Sequence, residues 1–392
     1  MISLLDARRI ISEKTQPLSP VEVPLAEARG RVLAQPLLAD AFYPSGDRST
    51  MDGYAVGTGN APGKFVVTDE LSAGSIPGRP LHPGEAIRIY TGALLPAGAV
   101  QVVPQELVHR ENDAVTIKAF PENRFIRKKG SEAVPGACVL AAGTVLRATE
   151  LAILAQLGVV KPKVIGLPRI QHLATGDELV RPEEIPTEGK IRDTNSILLA
   201  ALLEKEGVKI QSRPIADDLD MLTAAAGLGG DLLLISGGAS VGEYDFGQKA
   251  LEKSGYTIHF DQVNLRPGKP LTFATRDTSL AFVIPGNPVS HFVCWQVAIR
   301  LALESLAGRV PSWNFLTLPV QHREILSSNP RETFWPATIH CIDGHLTATP
   351  LHWSTSGDTF SLAGVQALIH LPAQWQDDDP LQTLLLDLPN TL

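Results

Sequence analysis

From Lys163 onward, short apolar runs alternate with helix-length segments, and this alternation constrains the chain more than any other feature. "PRIQHLAT" reads as a strand, "DTNSILLAALLEKEG" as a helix started by Asp193 or Thr194 and stopped by Gly207, and "VKIQSRPI" as a strand. "DLDMLTAAAGLG" then reads as a helix, "DLLLIS" as a strand and "DFGQKALEKSG" as a helix. Strands separated by helices pair in parallel, because the crossover helix returns the chain to the same end of the sheet, and the helices cover both faces. The expected fold is multidomain: a central α/β domain over residues 166–310 on a parallel sheet, flanked by small β-rich domains. Ligands of open sheets bind beyond the carboxyl ends of the strands.

The flanks carry a different pattern. "MISLLDARRIISEK" has apolar residues at helical spacing interrupted by Asp6, Arg8 and Arg9, an amphipathic helix and not a signal segment. Residues 44–137 hold short alternating strands, "GKFVVTDEL", "EAIRIYTGALL" and "VQVVPQEL", divided by Pro-Gly turns, which predicts a small β module. "LRATELAILAQLGV" returns to helix, and residues 311–392 return to strands with "NFLTLPVQ", "TFWPATIHC" and "LTATPL". A chain of 392 residues, 44% hydrophobic and 19% charged, has ample apolar surface for several packed domains.

A net charge of −8 argues against nucleic acid as the main partner, since that binding needs concentrated Lys and Arg. No apolar run approaches membrane-spanning length. Cys138, Cys294 and Cys341 are odd in number and lack metal-site spacing, so they read as buried reduced thiols, consistent with a cytoplasmic protein.

Two strand-end loops carry the chemistry. "LATGDELV" places Thr175, Gly176, Asp177 and Glu178 after one strand, and "LISGGASVGEYDF" places Ser236, Gly237, Gly238, Ser240, Gly242 and Asp245 after another. Glycines let backbone N–H groups approach a ligand, so both loops fit a phosphate cradle, against the alternative of tight packing alone. Asp177, Glu178, Asp217, Asp218, Glu243 and Asp245 crowd the same rim. A bare carboxylate about 4 Å from a phosphate would repel it by roughly 4 kcal/mol at an effective dielectric near 20. For the group, a shared divalent cation such as Mg²⁺ is the favoured answer, whereas each acid singly fits a helix cap or a solvated surface. "LRPGKP" adds Arg266 and Lys269 as positive partners for an anion, and "IPGNPVS" adds a stiff loop with Pro285, Asn287 and Pro288. In the β module, "STMDGYAV" and "YTGALLPAGA" single out Asp52 and Thr91, and "FIRKKGSE" sets Glu132 beside a basic patch.

Taken together, "STMDGYAV", "TGALLPAGA", "FIRKKGSE", "LATGDELV", "IRDTNS", "LISGGASVGEYDF", "RPGKP" and "IPGNPVS" stand in an order that resembles the MoeA family of molybdopterin molybdenumtransferases, related to the E domain of gephyrin. The resemblance spans essentially the whole chain. It implies a molybdopterin-binding-like central domain and an elongated homodimer with four domains per subunit: residues 1–43 with 138–165, residues 44–137, residues 166–310 and residues 311–392. It implies an active site between the α/β domain of one subunit and the β module of the other. The implied activity is Mg²⁺-dependent: adenylylated molybdopterin and molybdate bind, the metal is inserted and AMP leaves. By position, the family's catalytic residues map onto Asp52, Thr91, Glu132, Glu178, Asp218 and Asp245, with Glu178, Asp218 and Asp245 for the metal and Asp217 competing with Asp218. Other proteins of molybdenum cofactor biosynthesis are implied as possible partners.

Four positions depart from the family pattern. Val100 replaces a usual aspartate, Glu132 replaces an aspartate, and Gln262 and Arg266 stand where lysines are common. Such changes bear on rate, because catalytic groups need placement within about half an ångström. They keep an alternative open: a catalytically weakened pterin-nucleotide-binding or scaffold protein of the same family.

Overall fold

The computed structural model describes residues 1–57, 62–208, 210, 212–238, 246–311, 313–342, 344–377 and 381–386. The chain divides into two compact units, one of Met1–Ala34, Val145–Leu151 and Lys161–Leu392, the other of Gln35–Thr144 and Ala152–Val160.

In the first unit a six-stranded sheet runs in the order Ser212–Ile215, Ile170–Thr175, Leu232–Ser236, Ser279–Ile284, Thr272–Arg276, Thr257–Phe260. The first four strands are mutually parallel, Thr272–Arg276 pairs antiparallel to Ser279–Ile284, and Thr257–Phe260 pairs antiparallel to Thr272–Arg276, so one strand runs against the rest. The expected parallel sheet is thus corrected to a mixed one. Only Asp277 and Thr278 join Thr272–Arg276 to Ser279–Ile284, with Asp277 at φ 52°, and so short a link permits a hairpin but no crossover. Leu232–Ser236 is buried throughout because both faces are covered. Leu232 and Leu234 pack with Leu199 and Leu203 of the Asn195–Lys205 helix. Leu233 and Ile235 pack with Leu222 of the Leu219–Gly227 helix and Leu251 of the Phe246–Lys253 helix.

The N-terminal helix, Leu4–Lys14, begins at Ser3, whose Oγ accepts from Asp6 N at 3.0 Å. Its spacing puts Leu4, Ala7 and Ile11 on one face, and all three are sealed in the core that covers Leu232 and Leu234. This helix packs into the core of the α/β sheet. Leu265–Arg266, from the "RPGKP" loop, pairs in parallel with Glu332–Ile342, and Phe334, Leu368 and Leu384 share the core of Leu265 and Leu301.

The second unit holds a six-stranded sheet ordered Ala99–Pro104, Gly53–Gly57, Glu85–Ile89, Gly63–Leu71, Ala114–Ile117, Val108–Glu111. Alternation places Tyr54, Val56 and Val103 on one face and Ala55, Ile87, Ile89 and Val102 on the other, each face with its own apolar cluster. The cysteine expectation is corrected: all three are free thiols, but only Cys294 is buried. Cys138 lies on a short strand, Cys138–Leu140, and Cys341 near the end of Glu332–Ile342, where the strand runs out of the core. Among the described residues no helix is long and apolar enough to cross a membrane.

Ile11→Ala is expected to lower unfolding free energy by about 2–5 kcal/mol, while Leu5→Ala, at a position 72% exposed, changes it by less than about 0.5 kcal/mol. Denaturant unfolding of both variants checks whether the helix is an integral part of this core.

Candidate functional site

Three parallel strands, Ile170–Thr175, Leu232–Ser236 and Ser279–Ile284, end at one edge of the sheet. The turns that follow line a cavity of about 480 Å³: Thr175 and Gly176 from the first, Ser236, Gly237 and Gly238 from the second, Pro285, Gly286 and Asn287 from the third. Glu178, Asp193, Asn195, Asp217 and Pro270 complete its polar and loop lining. Gly237 stands at φ 92°, and a Cβ there would lie 2.5 Å from the Thr175 carbonyl oxygen and 2.7 Å from its Oγ1. Only glycine permits this approach. Gly176, at φ 142°, is covered by Glu178, whose carboxylate oxygens would lie 2.8 Å from an added Cβ. Asn195 Nδ2 donates to the Gly286 carbonyl oxygen at 2.7 Å, and its Oδ1 is buried with no hydrogen-bond partner among the described residues.

The neighbouring acids divide their work. Asp177 N donates to Asp217 Oδ2 at 3.3 Å and Asp217 N to Asp177 Oδ1 at 3.2 Å, a reciprocal pair that joins two loops. Asp217 lines the cavity; Asp177 faces an adjoining cavity of about 760 Å³ with Arg181, Glu184 and Ser212. Asp218 caps the Leu219–Gly227 helix, its Oδ1 accepting from Met221 N at 2.8 Å, and is outside the cavity lining. Geometry separates Asp217 from Asp218: the half-buried Asp217 faces the cavity and the exposed Asp218 is a cap. Asp193 does both, lining the cavity while Ser196 N donates to its Oδ1 at 3.0 Å.

The other expected residues lie elsewhere. Ser240, Gly242 and Asp245 fall outside the described residues. Pro288 starts the Pro288–Cys294 helix behind the lining. Lys269 is exposed beside Pro270. Arg266 lies over Trp353, 5.0 Å from the ring centroid, with Nη1 donating to Ser327 Oγ at 3.4 Å. Partial burial, and then the charge of nearby Arg331, lowers the pKa of Arg266. In the other unit, Asp52 Oδ1 accepts from Thr91 N and Thr91 Oγ1, both at 2.8 Å, and these bonds hold its carboxyl below the ordinary range. Glu132 is ion-paired to Arg127 Nη1 at 2.9 Å.

No cluster of three or more ligating side chains forms among the described residues. Mg²⁺ does not require one, since it takes one or two carboxylates and completes its shell with water and phosphate oxygens. Glu178 and Asp217, both on the cavity, supply an all-oxygen pair that fits this hard cation.

The sequence matches the MoeA N-terminal region (domain I and II) over residues 2–158 and a probable molybdopterin binding domain over residues 171–305. A molybdopterin molybdenumtransferase of Nostoc sp. is 36% identical over 369 residues, covering 89% of this chain and 84% of that protein. The chain belongs to the MoeA family. A second member, from Bacillus subtilis, is 32% identical over 366 residues, covering 89% of this chain and 85% of that protein. The crystal structure of the molybdopterin biosynthesis MoeA protein from Pyrococcus horikoshii OT3 superposes with a TM-score of 0.81 at 27% identity, covering 98% of this chain and 100% of that one. In this MoeA-family chain the second matched region contains the whole cavity lining, and the first contains Asp52, Thr91 and Glu132.

Sequence reasoning missed Asn195, although "IRDTNS" lay among its motifs, because helix starts rich in Asp, Thr, Asn and Ser look alike whether they cap or bind. It also missed Arg331, which no local pattern ties to Arg266. Thr91→Val should raise the Asp52 pKa by removing the hydroxyl bond, as read by NMR titration of that carboxyl. Asp218→Ala should cost about 1 kcal/mol of stability through loss of the cap; an unchanged unfolding midpoint would refute the capping role.

Proposed function

We propose that the cavity at the sheet edge binds the phosphate end of adenylylated molybdopterin and that this chain inserts molybdate there, with Mg²⁺ and release of AMP. The chain is a transferase of molybdenum cofactor biosynthesis. The observation that carries the finer reading is the cavity itself, glycine backbone from three strand ends beside the carboxylates of Glu178 and Asp217.

In this reading the turns at Gly176, Gly237 and Gly286 let main chain approach phosphate oxygens where side chains would block them. Asn195 Oδ1, buried and without a partner among the described residues, accepts an N–H or O–H from the ligand. Glu178 and Asp217 hold Mg²⁺. When bound, the ion supplies positive charge to the phosphoryl oxygens as the anhydride is cleaved. Arg266 and Arg331 crowd two positive charges together, an arrangement an oxyanion such as molybdate relieves, with Lys269 exposed on the same loop. Asp52, held ionised by Thr91, is a further catalytic group in this reading, and the working form is a homodimer.

Purified chain with Mg²⁺, molybdate and adenylylated molybdopterin is expected to yield metal-loaded cofactor and AMP, and Glu178→Gln to lower turnover about 10- to 100-fold. Nucleotide binding without AMP above a protein-free control would overturn this reading in favour of a binding or scaffold protein. The ion pair of Glu132 with Arg127 is the observation on that side, since it occupies a carboxylate expected to be catalytic.

A further inference from the structure

Ser236 lines the cavity at the end of the central strand, yet its hydroxyl is already engaged from within the sheet. His172 Nε2 lies 2.7 Å from Ser236 Oγ, and His172 Nδ1 lies 2.6 Å from Ser212 Oγ. Strand register builds this chain: His172 pairs with Ser212 on one side and with Leu234, two residues before Ser236, on the other. Successive alternate residues face the same way, so the three polar side chains share one face of the sheet. The middle of the chain is sealed, with His172 fully buried and Ser236 3% exposed. Its outer end is open, because Ser212 borders the adjoining cavity and a further one.

A core histidine satisfied by two hydroxyls is an ordinary packing solution. Against that reading, the neighbouring Leu232 and Leu234 on this face are buried in an apolar core, and an apolar residue at position 172 would avoid burying an imidazole altogether. The chain of hydrogen bonds also runs from one cavity to another, which packing alone does not require.

Burial lowers the His172 pKa to about 4, so the ring is neutral near pH 7 and one nitrogen carries a proton while the other is bare. Two proton orders follow. With the proton on Nε2, the ring donates to Ser236 Oγ and Ser212 donates to Nδ1, which leaves the Ser236 hydroxyl proton free to point at a ligand. With the proton on Nδ1, Ser236 must donate to Nε2 and presents only lone pairs. An anion in the cavity is compatible with the first order and repelled by the second. His291, on the same side of the sheet, is also neutral: burial, aided by His172, lowers its pKa to about 3. No buried positive charge from these rings therefore stands in for the hydrogen bond.

We propose that His172 is a positioning residue: with Ser212 behind it, it orders the chain so that Ser236 donates a hydrogen bond to a phosphate or other oxyanion held in the cavity. This rests on the reading of the cavity as an anion site. The experiment uses the full chain labelled with ¹⁵N-histidine, with AMP, adenosine and molybdate as probes and calorimetry alongside. In the AMP complex the His172 ring is expected as the Nε2–H tautomer. Ser212→Ala is expected to weaken AMP binding about five- to tenfold, Ser212→Thr to restore it, and adenosine binding to be indifferent to both. The same dependence on Ser212 for molybdate but not AMP would identify a free oxyanion as the ligand, and for AMP alone the nucleotide phosphate. An Nδ1–H ring in the complex, or Ser212→Ala binding both anions like the wild type, overturns the proposal and leaves the cradle standing. If neither anion binds the wild type, the cradle reading falls and this proposal falls with it.

Discussion

The approach of Gly237 to Thr175 is the contact on which the rest of the site depends. Neighbouring strands of a sheet lie about 4.8 Å apart, and their ends normally diverge as side chains of the next turn intervene. Here the turn after Leu232–Ser236 bends back over its neighbour at a distance that leaves no room for a Cβ, and Gly286 closes from the third strand with its would-be Cβ 3.7 Å from the Gly237 Cα. Three strand ends thus converge as bare backbone. A cavity with such walls recognises a ligand through main-chain groups, whose positions are set by the sheet and not by side-chain rotamers.

Around that backbone the structure gathers negative charge, and the acids do not all do the same thing. Asp217 and Asp218 are adjacent in sequence and separate in function: one faces the cavity and clasps the Asp177 loop, the other satisfies a helix N-terminus. Asp193 combines the two, capping with one oxygen while lining the cavity. The outcome is a rim on which Glu178 and Asp217 face the cavity, flanked by acids already committed to hydrogen bonds. Positive charge lies separately, on the loop that Leu265–Arg266 anchors to the C-terminal sheet.

Much of this was legible in the chain. Helical spacing marked Leu4, Ala7 and Ile11, the β/α alternation marked the central sheet, and the glycines and carboxylates of "LATGDELV" and "LISGG" marked the cavity, because these features are local: spacing, turn chemistry and residue type act within a few residues. The antiparallel edge was less legible, since a strand followed by a two-residue turn looks the same one-dimensionally as a strand before a loop. Buried status for Cys138 and Cys341 failed for the same reason, as burial depends on where a strand leaves the core.

What the sequence alone determined is the inventory: which segments are strands and helices, which turns need glycine, and which loops carry acid. What only the tertiary structure decided is partnership. It set Asp217 and not Asp218 on the cavity, put Arg331 near Arg266, sealed the N-terminal helix against the α/β core, and strung His172 between Ser212 and Ser236. Each of these joins residues tens of positions apart or more, or turns on the direction of one side chain. Such relations are fixed by strand register and shared apolar burial, which no window of sequence contains.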